Sequence, residues 1–419
     1  MAKEITPAVR NRLIGIIFIV SSLAAAAQVA YFTLMPIIAA DLSGSTSAAG
    51  LPSTMGLLFR AIAAYPLGWL MARVGRRTGL AAGLLVGAFG TAMSALAIGM
   101  GTFWVFSLGA GLAGVARGAA DLSRYAAAEV SPIDRRAKVI GWIVFAGTIG
   151  ALTGPLVVEP AVRLAGERGL VPESGPFWVA AIILMVSVLL TFVMLRPDPL
   201  TVSRHDEETQ RVETGQQADD SARPMAQLLK GWNVRLGIAA MTIGQLVMVM
   251  IMVITPLHMD HTGHGTGAIS FVILAHQMGM FGLSWLTGWL IDRQGAAAVI
   301  IGGSGILVLA SLFSPLAGSV TGFSIALFLL GLGWNFCFVA GSALLSTGLA
   351  PAERSRVQGF SDTWSSAAAA LGSLSTGPLF AAGRMSLVAA VGLAFSLALM
   401  AAWLLARRLM TSTGSEQVA

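Results

Sequence analysis

Residues 68–77 read Gly68-Trp69-Leu70-Met71-Ala72-Arg73-Val74-Gly75-Arg76-Arg77. Far downstream the chain repeats itself as Gly288-Trp289-Leu290-Ile291-Asp292-Arg293-Gln294-Gly295. The two stretches share G-W-L-x-x-R-x-G, a match that is hard to obtain by chance. Each copy closes a long apolar run, 47–71 in one case and 267–291 in the other. The chain is therefore read as a duplicated unit, and the flanking sequence shows of what kind.

Outward from these copies, twelve apolar runs occupy 13–39, 47–71, 79–101, 103–129, 138–158, 176–195, 234–257, 267–291, 296–316, 321–347, 359–381 and 385–409. Each meets the roughly 20-residue length of a helix crossing a hydrocarbon core. Gly and Ala crowd several of them, as in membrane helices whose backbones approach closely. The first run passes a loose cleavage-like stretch, Ala27-Gln28-Val29-Ala30, and continues to Ala40. That exceeds a signal-peptide core, so it is read as an uncleaved span. Composition agrees: 56% of the chain is hydrophobic and 11% charged, against about 25% charged in a soluble domain. A soluble enzyme, a disordered chain and a nucleic-acid binder are all disfavoured.

Basic residues set the expected orientation. With the N-terminus inside and twelve crossings, 20 of the 26 Lys and Arg fall on the cytoplasmic side, among them Lys3, Arg73, Arg135, Arg204, Arg211 and Arg293. This is a strong positive-inside skew, and it accounts for the net charge of +6 without nucleic acid. The long polar stretch, with Arg-Pro-Asp-Pro at 196–199 and acidic Asp206-Glu207-Glu208, reads as a cytoplasmic linker. The expected organisation is a six-span half over 1–195, a linker over 196–233 and a second six-span half over 234–419. This is the layout of a repeated transporter.

The duplicated stretch resembles the loop motif of the major facilitator superfamily, G-x-L-x-D-R-x-G-R-R. The N-terminal copy departs from it with Ala72 at the Asp position, while the C-terminal copy keeps Asp292. Gly147-x-x-Gly150-x-x-x-Gly154-Pro155 is similar to the glycine-proline motif of the superfamily's antiporters, although helix packing and a Pro bend also explain it. The resemblance implies an all-α membrane protein of twelve transmembrane helices, in two six-helix halves related by a pseudo-two-fold. It also implies alternating access, in a bacterial cytoplasmic membrane, with both termini inside. A monomer in the lipid bilayer is expected. Enzyme motifs fail. No Lys follows a Gly, so no phosphate loop ends in G-K-[ST]. The G-x-G-x-x-G at Gly109, Gly111 and Gly114 lies within an apolar run and reads as helix packing. The single Cys337 excludes an intrachain disulfide and a Cys-rich metal site. No resident cofactor is expected.

Charged groups within spans are functional candidates. Arg117, Asp121 and Arg124 share one face of the fourth run, and Arg60 in the second is a candidate to join them. They read either as a buried ion pair orienting the N-terminal half or as a proton- or substrate-coupling site. Asp292 and Arg293 of the second motif copy are candidates for gating. Asn335, Ser342, Gln358 and Asp362 are weaker candidates, equally readable as interhelical glue.

Soft ligands gather in the second half. Seven of the 19 Met lie between 241 and 280, and four of the five His between 258 and 276. Met248 and Met252 share a helix face, as do His276 and Met280. Thioethers and imidazole favour Cu(I) over hard cations. Met is also an ordinary filler of apolar helices, so the bland reading stays open. Between the pairs, His258, Met259, His261 and His264 form either an entrance for metal or a polar loop. Met-x-x-x-Met followed by His-x-x-x-Met resembles the CcoA-like copper importers of the superfamily, as do Ala275-His276-Gln277-Met278-Gly279-Met280-Phe281-Gly282 and Gly333-Trp334-Asn335-Phe336. The resemblance implies that Met248, Met252, His276 and Met280 bind copper, free or chelated, as a transported substrate. It implies delivery to copper-handling or cytochrome oxidase assembly proteins. The alternative is a proton-coupled exporter of small organic molecules or drugs.

Overall fold

The computed structural model describes residues 6–131, 136–202, 223–345, 349 and 351–412. Lys3, Arg135, Arg204, Arg211 and the acidic Asp206-Glu207-Glu208 lie outside the described residues. The chain divides into two compact units, Met1–Ser43 with Pro52–Asp219, and Gly44–Leu51 with Asp220–Ala419. The described residues form helices and turns, with no strand among them.

The first unit holds α1 (Pro7–Ser43), α2 (Leu51–Val74, whose first residue belongs to the other unit), α3 (Arg76–Met100), α4 (Phe103–Glu129), α5 (Arg136–Thr153), α6 (Val158–Glu167) and α7 (Gly175–Met194). Close backbone approach organises it. A Cβ on Gly87 of α3 would fall on Ala116 of α4, and one on Gly109 would fall on Gly90 and Ser94. Gly111 meets Phe59, and Gly114 meets the backbone of Gly56. The G-x-G-x-x-G is thus a packing surface for α2 and α3. Gly150 and Gly154 of the glycine-proline motif sit against the carbonyls of Ser22 and Ala26 in α1. Pro155 then opens a single 3₁₀ turn, Gly154–Val157, before helix resumes as α6.

The second unit holds α8 (Met225–Leu228), α9 (Trp232–His261), α10 (Thr266–Gln277), α11 (Ser284–Gln294), α12 (Ala296–Phe313), α13 (Val320–Leu344) and α14 (Pro351–Ser412). α13 is central: it packs against α9, α10 and α12. The turn before α2 belongs here, where Ser373 Oγ donates to the Gly50 carbonyl at 2.9 Å. At the end of the linker, the Arg223 guanidinium donates twice to Glu353, each at 2.8 Å. Those bonds and the carboxylate charge push the Arg223 pKa up.

Among the described residues, eleven helical stretches are long and apolar enough to cross a membrane. The last, Val357–Leu405, runs 49 residues, more than twice the length one crossing needs. Its helix breaks at Gly383 (φ −148°, ψ 22°) and Arg384 (φ 51°, ψ −156°), which makes two spans of it and twelve in all. Large apolar side chains stay exposed on the helices, among them Phe89, Ile182, Leu189 and Val193. Such a surface suits lipid, not water.

The motif copies close in the same way. Gly75 (φ 111°, ψ 154°) and Gly295 (φ 81°, ψ 153°) occupy the same region of backbone space, one essentially reserved for Gly. The Arg73 guanidinium lies 4.5 Å from the Trp69 ring centre and that of Arg293 5.4 Å from Trp289. The shared W-x-x-x-R is therefore a one-turn cation–π pair in both halves. Beyond Ala72 in place of an Asp, the first copy adds a cap: Asp198 accepts from the backbone N–H groups of Arg76 (2.9 Å) and Arg77 (3.0 Å) at the start of α3. Arg76 is also paired with Glu129.

Candidate functional site

In the first unit, close packing of α2 on α4 assembles an ionic cluster. A Cβ on Gly118 would stand 3.2 Å from the Arg60 carbonyl. The small residue lets Arg60 reach across to Asp121, with Nη2 to Oδ2 at 2.7 Å. Arg117, one turn before Asp121 on α4, brings Nε to Oδ1 at 3.1 Å. The three side chains remain 36%, 33% and 27% exposed for Arg60, Arg117 and Asp121. Arg124 turns elsewhere: its Nη2 lies 3.2 Å from the Tyr125 hydroxyl, and its guanidinium stands over that ring at 5.0 Å. Sequence placed Arg117, Asp121 and Arg124 on one face; the structure gives Asp121 to Arg117 and Arg60.

In the second unit, His276 is fully buried on α10 and packs on α13. Its Nδ1 lies 2.9 Å from the Leu327 carbonyl. A carbonyl only accepts, so Nδ1 carries the proton and Nε2 keeps a lone pair. That Nε2 is buried without a hydrogen-bond partner. Met280 follows inside a π-turn, Met278–Gly282, which separates α10 from α11. A π-turn redirects backbone hydrogen bonds, and Asn335 of α13 supplies one: its Nδ2 donates to the Met280 carbonyl at 2.6 Å and to Ser284 Oγ at 3.0 Å. Thr287 Oγ1 donates to Asn335 Oδ1. Asn335 is thus interhelical glue for an irregular turn. Gln358 and Ser342 also join two spans, Nε2 to Oγ at 3.1 Å.

Met248 and Met252 are buried on α9. Three residues before Met248, Gln245 accepts from the Trp334 indole N–H at 2.8 Å. Trp334 also stacks on Phe338 at 4.8 Å and meets Phe281 at 6.1 Å. In Gly333-Trp334-Asn335-Phe336, adjacent residues hold different neighbours: Trp334 bonds α9, and Asn335 bonds the π-turn. The methionine pair and the His276–Met280 pair thus lie on elements that both pack against α13. Sequence reading passed over Gln245, although a Gln inside an apolar run is the kind of signal that finds such a residue.

The expected entrance residues divide. Met259 is fully buried. His258 lies edge-on to Phe323 and Phe380, His261 lies beside Phe380, and His264 is edge-on to Phe323. His264 Nδ1 is 3.0 Å from Thr262 Oγ1. Among the described residues, no three His, Cys, Asp or Glu side chains come together as a metal-binding group. Asp292 and Arg293 are exposed at the end of α11.

Two repeated helical halves, twelve spans and ionic groups within them define a multi-pass membrane transporter. The sequence matches the Major Facilitator Superfamily over residues 17–373, and the chain belongs to that family. It is 33% identical over 369 residues to the uncharacterised MFS-type transporter YdeG of Bacillus subtilis (strain 168), covering 88% of this chain and 85% of that one. It is 27% identical over 366 residues to the riboflavin transporter RfnT of Brucella anthropi, covering 86% of each. In three dimensions it resembles a bacterial homologue of the human lysosomal transporter Spinster, with TM-score 0.70 and 13% identity over 96% of this chain and 98% of that one. That likeness is one of fold.

Proposed function

We propose that this protein is a proton-coupled secondary transporter of small organic molecules. It works by alternating access in a bacterial cytoplasmic membrane, as a monomer with both termini inside and no resident cofactor. The observation that carries this reading is the Arg60–Asp121–Arg117 cluster: ionised groups within spans, paired yet about one-third exposed. This carboxylate can take a proton as access alternates, when its guanidinium partners move off it. The likeness to a riboflavin transporter supports an organic substrate. Proteoliposomes under an imposed proton gradient, probed with riboflavin, with a cationic dye and with benzoate, test it. Wild-type flux of a transported probe follows the gradient, and Asp121→Asn abolishes that dependence. Flux in Asp121→Asn that still follows the gradient overturns the assignment.

One observation favours copper import as a second reading. His276 donates through Nδ1 to a carbonyl and leaves Nε2 buried and unpartnered, as metal-binding histidines do. Met280 follows four residues later, Met248 and Met252 would complete a soft ligand set, and the loop histidines would hand the ion inward singly. The resemblance to CcoA-like importers points the same way. Copper accumulation in cells distinguishes the readings: His276→Ala or Met280→Ala abolishes uptake if these residues are ligands. Unchanged uptake at normal expression removes them.

A further inference from the structure

We infer that the substrate of this transporter carries an anionic group, a carboxylate or a phosphate, and that Arg60 and Arg117 hold it. The inference rests on the organic-solute reading and narrows its substrate class. The argument is one of charge and donor count. Arg60 and Arg117 both stand on one carboxylate, at 2.7 and 3.1 Å. This cluster therefore carries one positive charge more than its carboxylate balances, and Arg124 on the same helix adds another within the spans. The other described acids of this unit sit at helix ends or in turns: Asp41, Glu129, Glu159, Glu167, Glu173 and Asp198. Glu129 is paired with Arg76 and Glu159 with Arg163.

Two guanidiniums bring about five N–H donors each, and one carboxylate offers roughly four lone-pair sites. The donors outnumber the acceptor. Arg117 Nε and Asp121 Oδ2 are buried, yet neither has a well-directed hydrogen bond. The Arg117 contact is close in distance and poorly aimed, a geometry open to a further planar or tetrahedral anion. A surplus cation is costly within a membrane. A fork of N–H groups recognises carboxylate or phosphate in two-point fashion. Backbone contacts at Gly114 and Gly118 hold α2 and α4 at this spacing, so the fork is preformed.

The test is thermal melting of the purified full-length protein in detergent with matched probes: benzoate against benzamide, phenyl phosphate against phenol, and Cu(I) alone. We expect at least one acid to raise the melting temperature while its neutral partner does not. Arg60→Gln and Arg117→Gln raise the half-saturating concentration of that acid about tenfold or more. Arg60→Lys, which keeps the charge, binds more tightly than Arg60→Gln, and Arg124→Gln leaves binding unchanged. The acid-versus-neutral comparison on the wild type stands even if an Arg variant fails to fold. Neutral probes that stabilise as well as acids overturn the anion inference and leave the organic-solute reading in place. Stabilisation by Cu(I) alone overturns both, and no shift from any acid overturns the inference.

Discussion

Gly75 is where a single residue governs the most structure. Its φ of 111° and ψ of 154° are closed to residues with a Cβ. A Cβ there would also meet the Asp198 carboxylate, which caps α3 through two backbone N–H groups. Gly295 shares the conformation, but a Cβ on it would meet nothing within 4 Å. The two positions therefore separate backbone strain from steric loss of a cap. Gly295→Ala is expected to destabilise by about 1–3 kcal/mol from conformation alone. Gly75→Ala is expected to lose more, because it adds the loss of a helix cap, about 1 kcal/mol. Melting temperatures in detergent check the order; equal losses would show that Asp198 does not cap α3 in the folded protein. At this scale the sequence was legible only in part. The repeated Gly and Arg were plain, while the Asp198 cap depends on a residue beyond four intervening helices.

At the scale of elements, the eighth span shows why periodicity alone misleads. Its apolar run, 267–291, reads as one continuous helix, and nothing in its spacing marks a break. The structure inserts a π-turn at Met278–Gly282, held by Asn335 from another helix. The partner that stabilises the irregularity is distant in sequence, so the local pattern carries no trace of it. The same holds for Arg60, whose place beside Asp121 follows from Gly118 on the facing helix. The spans themselves were legible because length and hydropathy are local quantities. Replacing Asn335 tests the role of the π-turn. Asn335→Ala removes the donor to the Met280 carbonyl and leaves Thr287 and Ser284 without it. We expect a loss of about 1–2 kcal/mol and faster hydrogen exchange confined to residues 276–287. Unchanged exchange there would mean that the turn is held by backbone geometry alone.

For the whole molecule, orientation is the property that the charge pattern predicts and the fold by itself does not. The asymmetry lies in where Lys and Arg fall, 20 of 26 on one side of the expected topology. Transfer of each across the membrane is disfavoured during insertion. The chain offers a clean way to measure this, since its only cysteine, Cys337, is fully buried and shielded from aqueous reagents. Glu173, just before α7, and Gln294, at the end of α11 after the second motif copy, are both exposed, and they lie on opposite sides in that topology. A membrane-impermeant maleimide added to intact cells should label Glu173→Cys and spare Gln294→Cys, with Gln294→Cys becoming reactive once the cells are permeabilised. The reverse pattern would place the basic loops outside. It would also turn the proton-coupling argument around, because Asp121 would then meet the proton gradient from the opposite side.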